Sequence, residues 1–149
     1  MKRSFVADAS VAIAWVHPAQ ATSETDAMLD GLAAGDSLVV PALWPLEVAN
    51  ALTVLRRRRK LTLDEARTAI EIIRDLPAII DHEAAAIAFT RLVDLASEHE
   101  LTVCDATYIE LATRRQLPLA SNDARMKQAA IRSGVDLWQS DARAEPATS

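Results

Sequence analysis

Apolar residues along this chain follow two alternating rhythms. Short unbroken runs recur, and between them stand longer segments whose apolar positions repeat three and four residues apart. The first rhythm fits strands buried on both faces and the second fits amphipathic helices. Strands are predicted over Ser4–Asp8, Leu38–Val40, Ala78–Asp81 and Pro118–Ser121, with a fifth candidate at Val135–Trp138. Helices are predicted over Ser10–Val16, Thr22–Ala34, Pro45–Lys60, Thr62–Leu76, Glu83–Glu98, Asp105–Gln116 and Ala124–Ser133. Local punctuation supports these bounds. Pro18 stops the first helix, Gly35 the second, and Pro45 opens the third. Thr62-Leu63-Asp64-Glu65 reads as a capping box, and Ser23 with Asp26 resembles another. The pair Pro45–Lys60 and Thr62–Leu76 is expected to form a projecting helical hairpin. Strands alternating with helices imply an α/β fold, a three-layer α/β/α sandwich around a short, mostly parallel central sheet.

At 149 residues and 16.2 kDa the chain suits one domain, large enough to bury a core without staples. That domain is expected to span residues 1–139, and from Ser140 the small, polar composition predicts a frayed tail. No internal repeat or low-complexity block is visible. A single cysteine, Cys104, excludes an intramolecular disulfide and fits a reducing compartment. Its apolar surroundings in sequence suggest a small core residue. Lys2-Arg3, an apolar stretch to Val16 and Ala19-Gln20-Ala21 imitate a secretory signal. Asp8 interrupts that stretch, however, and a strand running into a helix explains the same residues. No run approaches membrane-spanning length, so a cytoplasmic location and no membrane partner are expected.

Four acids carry the candidate chemistry. Asp8 ends the first apolar run, Glu47 lies just inside the helix opened by Pro45, Asp105 opens a helix, and Asp123 follows the fourth strand. In an open α/β sheet the carboxyl ends of the strands share one edge, where ligands bind. Carboxylates converging there repel one another unless a cation sits between them, and an all-oxygen site suits Mg²⁺ or Mn²⁺. Each acid also has a structural explanation. Asp8, Asp105 and Asp123 fit helix N-caps, and Glu47 in a first turn complements the helix dipole. Capping alone does not require four helix starts to share one sheet edge.

The net charge of −5 and pI near 5.2 sit poorly with a nucleic-acid binder, although bound metal would neutralise part of the acidity. The run Arg56-Arg57-Arg58-Arg59-Lys60 reads either as a solvated helix C-terminus or as a patch for phosphate or a partner. His17, His82 and His99 show no clustered pattern and read as surface or capping residues. Trp15, Trp44 and Trp138 lie in apolar runs and read as core rather than as base-stacking platforms.

The segments Val6-Ala7-Asp8-Ala9-Ser10-Val11, Pro45-Leu46-Glu47-Val48-Ala49-Asn50-Ala51-Leu52, Asp105-Ala106-Thr107-Tyr108 and Leu119-Ala120-Ser121-Asn122-Asp123 resemble the ordered motifs of the PIN-domain nucleases. Within that family the pattern is similar to the VapC-type toxins of bacterial toxin–antitoxin pairs. The resemblance runs from Val6 to about Trp138, and each motif is weak alone but fairly specific in this order. It implies a PIN-like fold and a Mg²⁺- or Mn²⁺-dependent endoribonuclease acting on RNA as the toxin of a type II pair. By the same resemblance, Asp8 and Asp105 match the principal metal ligands, Glu47 the third acid and Asp123 a fourth, more variable one. Ser10 and Ser121 match small hydroxyl positions near the site, with Ser121-Asn122-Asp123 departing mildly from a commoner Thr-x-Asp. A homodimer and a small cognate antitoxin are implied as well.

Two other readings compete. One is a different α/β phosphate-handling hydrolase. Haloacid-dehalogenase phosphatases require Asp-x-Asp after the first strand, whereas Ala9-Ser10 follows Asp8. Response-regulator receivers require adjacent early acids and a late strand-end Lys, which are not evident, and only Gly31, Gly35 and Gly134 are available for a phosphate-cradling loop. The other is a non-catalytic PIN-fold binding module, which has no physical reason to retain mutually repelling carboxylates.

Overall fold

The computed structural model describes residues 2–140; most of the tail expected from Ser140 lies outside the described residues. Four strands form the sheet: β1 (Ser4–Ala7), β2 (Ser37–Pro41), β3 (Ala78–Asp81) and β4 (Leu119–Ala120). Their order is β3-β2-β1-β4 and every pairing is parallel. Phe5, Val6, Ala7, Leu38 and Val40 are completely excluded from solvent, as the continuous apolar runs require of strands covered on both faces. The fifth candidate strand is reduced to one bridge, Leu119 to Leu137.

The helices are α1 (Ala9–Val16), α2 (Ser23–Ala33), α3 (Trp44–Arg57), α4 (Leu63–Arg74), α5 (Ala84–Ile87), α6 (Val93–His99), α7 (Val103–Arg115) and α8 (Ala124–Arg132). With the sheet they make the α/β/α arrangement expected of the alternating pattern. α7 packs on β1 and β2 and is buried nearly all round, from Ala106 to Ala112. α1 packs against α2, α3 and α4, so the α3–α4 pair is anchored to α1 as well as to itself. All three tryptophans belong to the core, Trp15 donating its indole N–H to the Thr25 carbonyl at 2.9 Å.

Several boundaries differ from the expected ones for identifiable reasons. The box at the head of α2 joins Thr22 and Thr25, not Ser23 and Asp26. That register puts Thr25, Met28 and Leu32 on the buried face. α3 stops at Arg57, because Arg59 adopts a left-handed φ of 57° and the Lys60 N–H returns to the Leu55 carbonyl at 2.8 Å. α6 and α7 close the same way through Glu100 and Gln116 (each with φ 54°), with Leu101 N–H returning to Ala96 and Leu117 N–H to Ala112. This six-to-one closure normally uses glycine. Here non-glycine residues accept the left-handed strain.

The helix expected over Glu83–Glu98 is broken by a π turn at Ala88–Leu92. The extra residue in that turn rephases the helix. Leu92 and Ala96 then face the core, while Phe89 is left 94 % exposed.

Candidate functional site

The strand order changes direction at β1, whose successor β2 lies on one side and β4 on the other. Such a switch point opens a crevice at the carboxyl ends of the strands. Asp8 leaves β1 at that point and is itself buried, at 7 % exposure. Its backbone N–H donates to the Ala120 carbonyl at 3.2 Å, which ties it to the end of β4. The Asp8 carboxylate caps α1, accepting the Val11 N–H at 3.3 Å. It also accepts the hydroxyls of Ser10 on Oδ1 and Ser121 on Oδ2, each at 2.5 Å. Burial pushes the Asp8 carboxyl above its ordinary value, against those hydroxyl and backbone donors, which favour the ionised form.

Glu47 occupies the first turn of α3 and is half-buried. Burial pushes its carboxyl up, the Tyr108 hydroxyl works against that, and the charges of Asp105 and Asp8 push it up again. Glu47 is therefore within electrostatic reach of both Asp105 and Asp8, although the three come from separate elements.

Asp105 is not the cap of α7. Thr102 fills that position, its Oγ1 accepting the Asp105 N–H at 3.0 Å. Among the described residues no hydrogen bond or ion pair engages the Asp105 carboxylate. Asp123 is different. It is exposed, it caps α8 by accepting the Arg125 N–H at 2.9 Å, and its own N–H donates to Ser121 Oγ at 3.0 Å. The structure thus places Asp105 and Asp8 within electrostatic reach of Glu47 and links Asp123 to Asp8 through Ser121.

Cys104 departs from expectation, being exposed rather than in the core. As the second residue of α7 it lies at the rim beside the acids. Partial covering and the charges of Glu47 and Asp105 push its thiol up. The histidines stay outside this chemistry: His17 caps α1, His82 is exposed, and His99 pairs with Ser133 at 3.0 Å. Arg56 through Lys60 are all exposed.

Two features escaped the sequence reading. Tyr108 donates its hydroxyl to Glu47 Oε1 at 2.5 Å, and its spacing of three from Asp105 was the available signal. Asp81, which ends β3 as Asp8 ends β1, is also buried. Its carboxylate is gripped by Arg114 at 2.8 and 2.9 Å and by Arg115 at 2.9 Å. These guanidinium groups, Arg114 foremost, hold the Asp81 carboxyl well below the usual carboxylate range. Two strand-end acids thus have opposite surroundings.

That contrast tests whether the donor set fits a divalent cation. Asp8, Glu47 and Asp105 offer only oxygens, no lysine or arginine is paired with them among the described residues, and mutual repulsion acts on Glu47. Among the described residues no three such side chains are gathered tightly enough to hold an ion unaided. Mg²⁺ suits such a site, because it retains several waters and takes one or two carboxylates. The all-oxygen donor chemistry suits the ion, although the side chains form no ready-made cluster among the described residues.

The PIN domain family model matches residues 5–132, and the chain belongs to that family. No curated protein matches this sequence. Among solved structures, FitAcB from Neisseria gonorrhoeae is similar at a TM-score of 0.62 and 18 % identity, over 91 % of this chain and 96 % of that one. PAE2754 from Pyrobaculum aerophilum is similar at a TM-score of 0.59 and 19 % identity, over 90 % of this chain and 98 % of that one. At these identities the likeness concerns the fold. No described helix is long and apolar enough to cross a membrane.

Proposed function

We propose that this chain is a divalent-metal-dependent endoribonuclease, the toxin of a type II toxin–antitoxin pair, with its chemistry carried by a single domain over residues 1–139. The observation that carries the reading is that Glu47 feels the charges of both Asp105 and Asp8, the latter leaving the strand at the switch point, with no lysine or arginine paired with these acids among the described residues. Membership of the PIN family supports the same reading. Asp8 and Asp105 would hold Mg²⁺ or Mn²⁺, with Glu47 as third acid and Asp123 as an outer one. A bound ion supplies an acidified water and neutralises charge building on the phosphoryl oxygens.

The protein's own groups do the rest. Ser10 and Ser121 each donate to one oxygen of Asp8, fixing the plane of its carboxylate. Glu47, half-buried and with Oε2 unpartnered among the described residues, is open to take a proton from water. Asp123 holds Ser121 from the other side through its backbone N–H.

Purified protein is expected to cleave RNA with Mg²⁺ or Mn²⁺ and not in EDTA, and Asp8→Asn is expected to abolish cleavage. Asn keeps the shape and one acceptor, so circular dichroism should stay unchanged. Full activity of Asp8→Asn, in preparations free of contaminating nuclease, would overturn the reading.

The toxin role rests on the resemblance of the motifs and implies a small cognate antitoxin and a homodimer. An apolar cleft between α3 and α4, lined by Trp44, Pro45, Val48, Leu52, Ile70 and Ile73, offers surface for a protein partner. An antitoxin arginine placed among the carboxylates would replace the ion and quench the site. Expression of the wild type alone should arrest growth, while co-expression with a short neighbouring reading frame, or the Asp8→Asn change, should restore it. Unimpaired growth with active wild type would remove the toxin role and leave the nuclease.

A further inference from the structure

Tyr108 lies one helical turn beyond Asp105, so both project from the same side of α7. It is only 1 % exposed, and its single hydrogen bond among the described residues runs to Glu47 Oε1 at 2.5 Å. The bond joins α7 to α3 across 61 residues of sequence. Glu47 needs such a tether. Its side chain is long, only half-buried, and repelled by Asp105 and Asp8, so a free carboxylate gains by swinging away from them. Oε2 has no hydrogen-bond partner among the described residues, so the tether occupies one oxygen and leaves the other available.

We infer that Tyr108 is a positioning residue, whose phenolic hydroxyl holds the Glu47 carboxylate against repulsion in the place where it serves a divalent cation. This rests on the metal-dependent reading above. Outer groups that orient a ligand carboxylate contribute about ten- to a hundredfold in metal affinity. The competing account is that a buried hydroxyl needs an acceptor and Glu47 happens to supply one. In that case the bond serves folding, and metal affinity is indifferent to it.

Mn²⁺ titration calorimetry on four proteins separates the two accounts: wild type, Tyr108→Phe, Glu47→Ala and the double variant. Positioning predicts that Tyr108→Phe weakens Mn²⁺ binding about tenfold and adds no further loss in the Glu47→Ala background. An unchanged affinity in Tyr108→Phe, or an equal loss in both backgrounds, overturns it. A wild type that binds no Mn²⁺ sinks the metal reading itself, a separate result.

Because Tyr108 is the only tyrosine in the chain, 3-fluorotyrosine incorporated during expression reports on it alone. Its fluorine resonance should move on Mg²⁺ titration with the midpoint of metal binding, and Glu47→Ala should suppress that movement. A resonance blind to Mg²⁺ in a protein that binds the ion overturns the inference even if Tyr108→Phe fails to fold.

Discussion

Asp105→Asn is expected to lose RNA cleavage by about a hundredfold or more, since it weakens several kcal/mol of charge stabilisation through the ion. In EDTA the same variant should be as stable as the wild type or more so. Two observations fix that sign. Thr102, not Asp105, caps α7, so no backbone donor loses its acceptor. The Asp105 charge also helps to push the Glu47 carboxyl up, so removing it relieves repulsion. Mn²⁺ at a hundredfold excess over its dissociation constant should stabilise the wild type by about 2.7 kcal/mol. For a chain of this size that is roughly 5–10 °C in melting temperature, and most of it should vanish in Asp105→Asn. Asp105→Ala serves as control, because a lost N-cap would cost about 1 kcal/mol with or without metal. Thermal melts of the three proteins in EDTA and in Mn²⁺ decide the matter. A wild type indifferent to metal, with both variants destabilised, would leave these acids as structural groups only.

The part of the fold governed by continuous apolar runs was legible in the sequence. β1, β2 and β3 fall within a residue or two of their expected bounds; burial on both faces forces the unbroken hydrophobic segments of β1 and β2, while the edge strand β3 keeps such a run with Ile79 exposed. Helix ends were legible where glycine or a capping box marks them, as at Gly35 and Thr62. They were not legible at Arg59, where a long basic side chain takes the left-handed position with no compositional sign. The π turn at Ala88–Leu92 was hidden for a similar reason, since neither Pro nor Gly interrupts that segment.

The candidate site was legible as four acids at strand ends and helix starts, and the chain order of those motifs resembled the PIN family, which the family match bears out. What surrounds each acid was not legible. Asp81 follows the same strand-end rule as Asp8 and is equally buried, yet α7 delivers two arginines to it. Placement at a strand end is thus compatible with a metal ligand or with a structural ion pair, and the neighbouring charges decide. Cys104 shows the same limit: an apolar stretch in sequence turned its one thiol outward, to the rim beside Glu47 and Asp105.

Arg114→Met is expected to be the most destabilising single change outside the hydrophobic core. Arg114 lays two nitrogens on Asp81 and its Nε on Glu110 at 2.8 Å, and those acids are only 5 % and 2 % exposed. Removing the guanidinium leaves two buried carboxylates, with Arg115 still reaching Asp81. Breaking a buried pair from one side costs about 3–5 kcal/mol. The 29 % exposure of Arg114 places this case near the lower figure, because water screens the outer part of the network. For a chain of this length about 3 kcal/mol lowers the melting temperature by roughly 6–12 °C. Arg114→Lys should fall between the two, keeping the charge while losing the fork that engages both Asp81 oxygens. The pH dependence carries a sign. Because Arg114 holds the Asp81 carboxyl below its ordinary value, its stabilisation is complete above the unfolded pKa of about 3.9 and is lost as pH falls further. The gap between wild type and Arg114→Met should therefore narrow as pH drops through about 4. Asp8 and Glu47 titrate in both proteins and largely cancel in that difference. Denaturant melts at several pH values measure it, and a gap that is small at neutral pH, or that widens on acidification, would show that the Arg114 network does not hold α7 to β3.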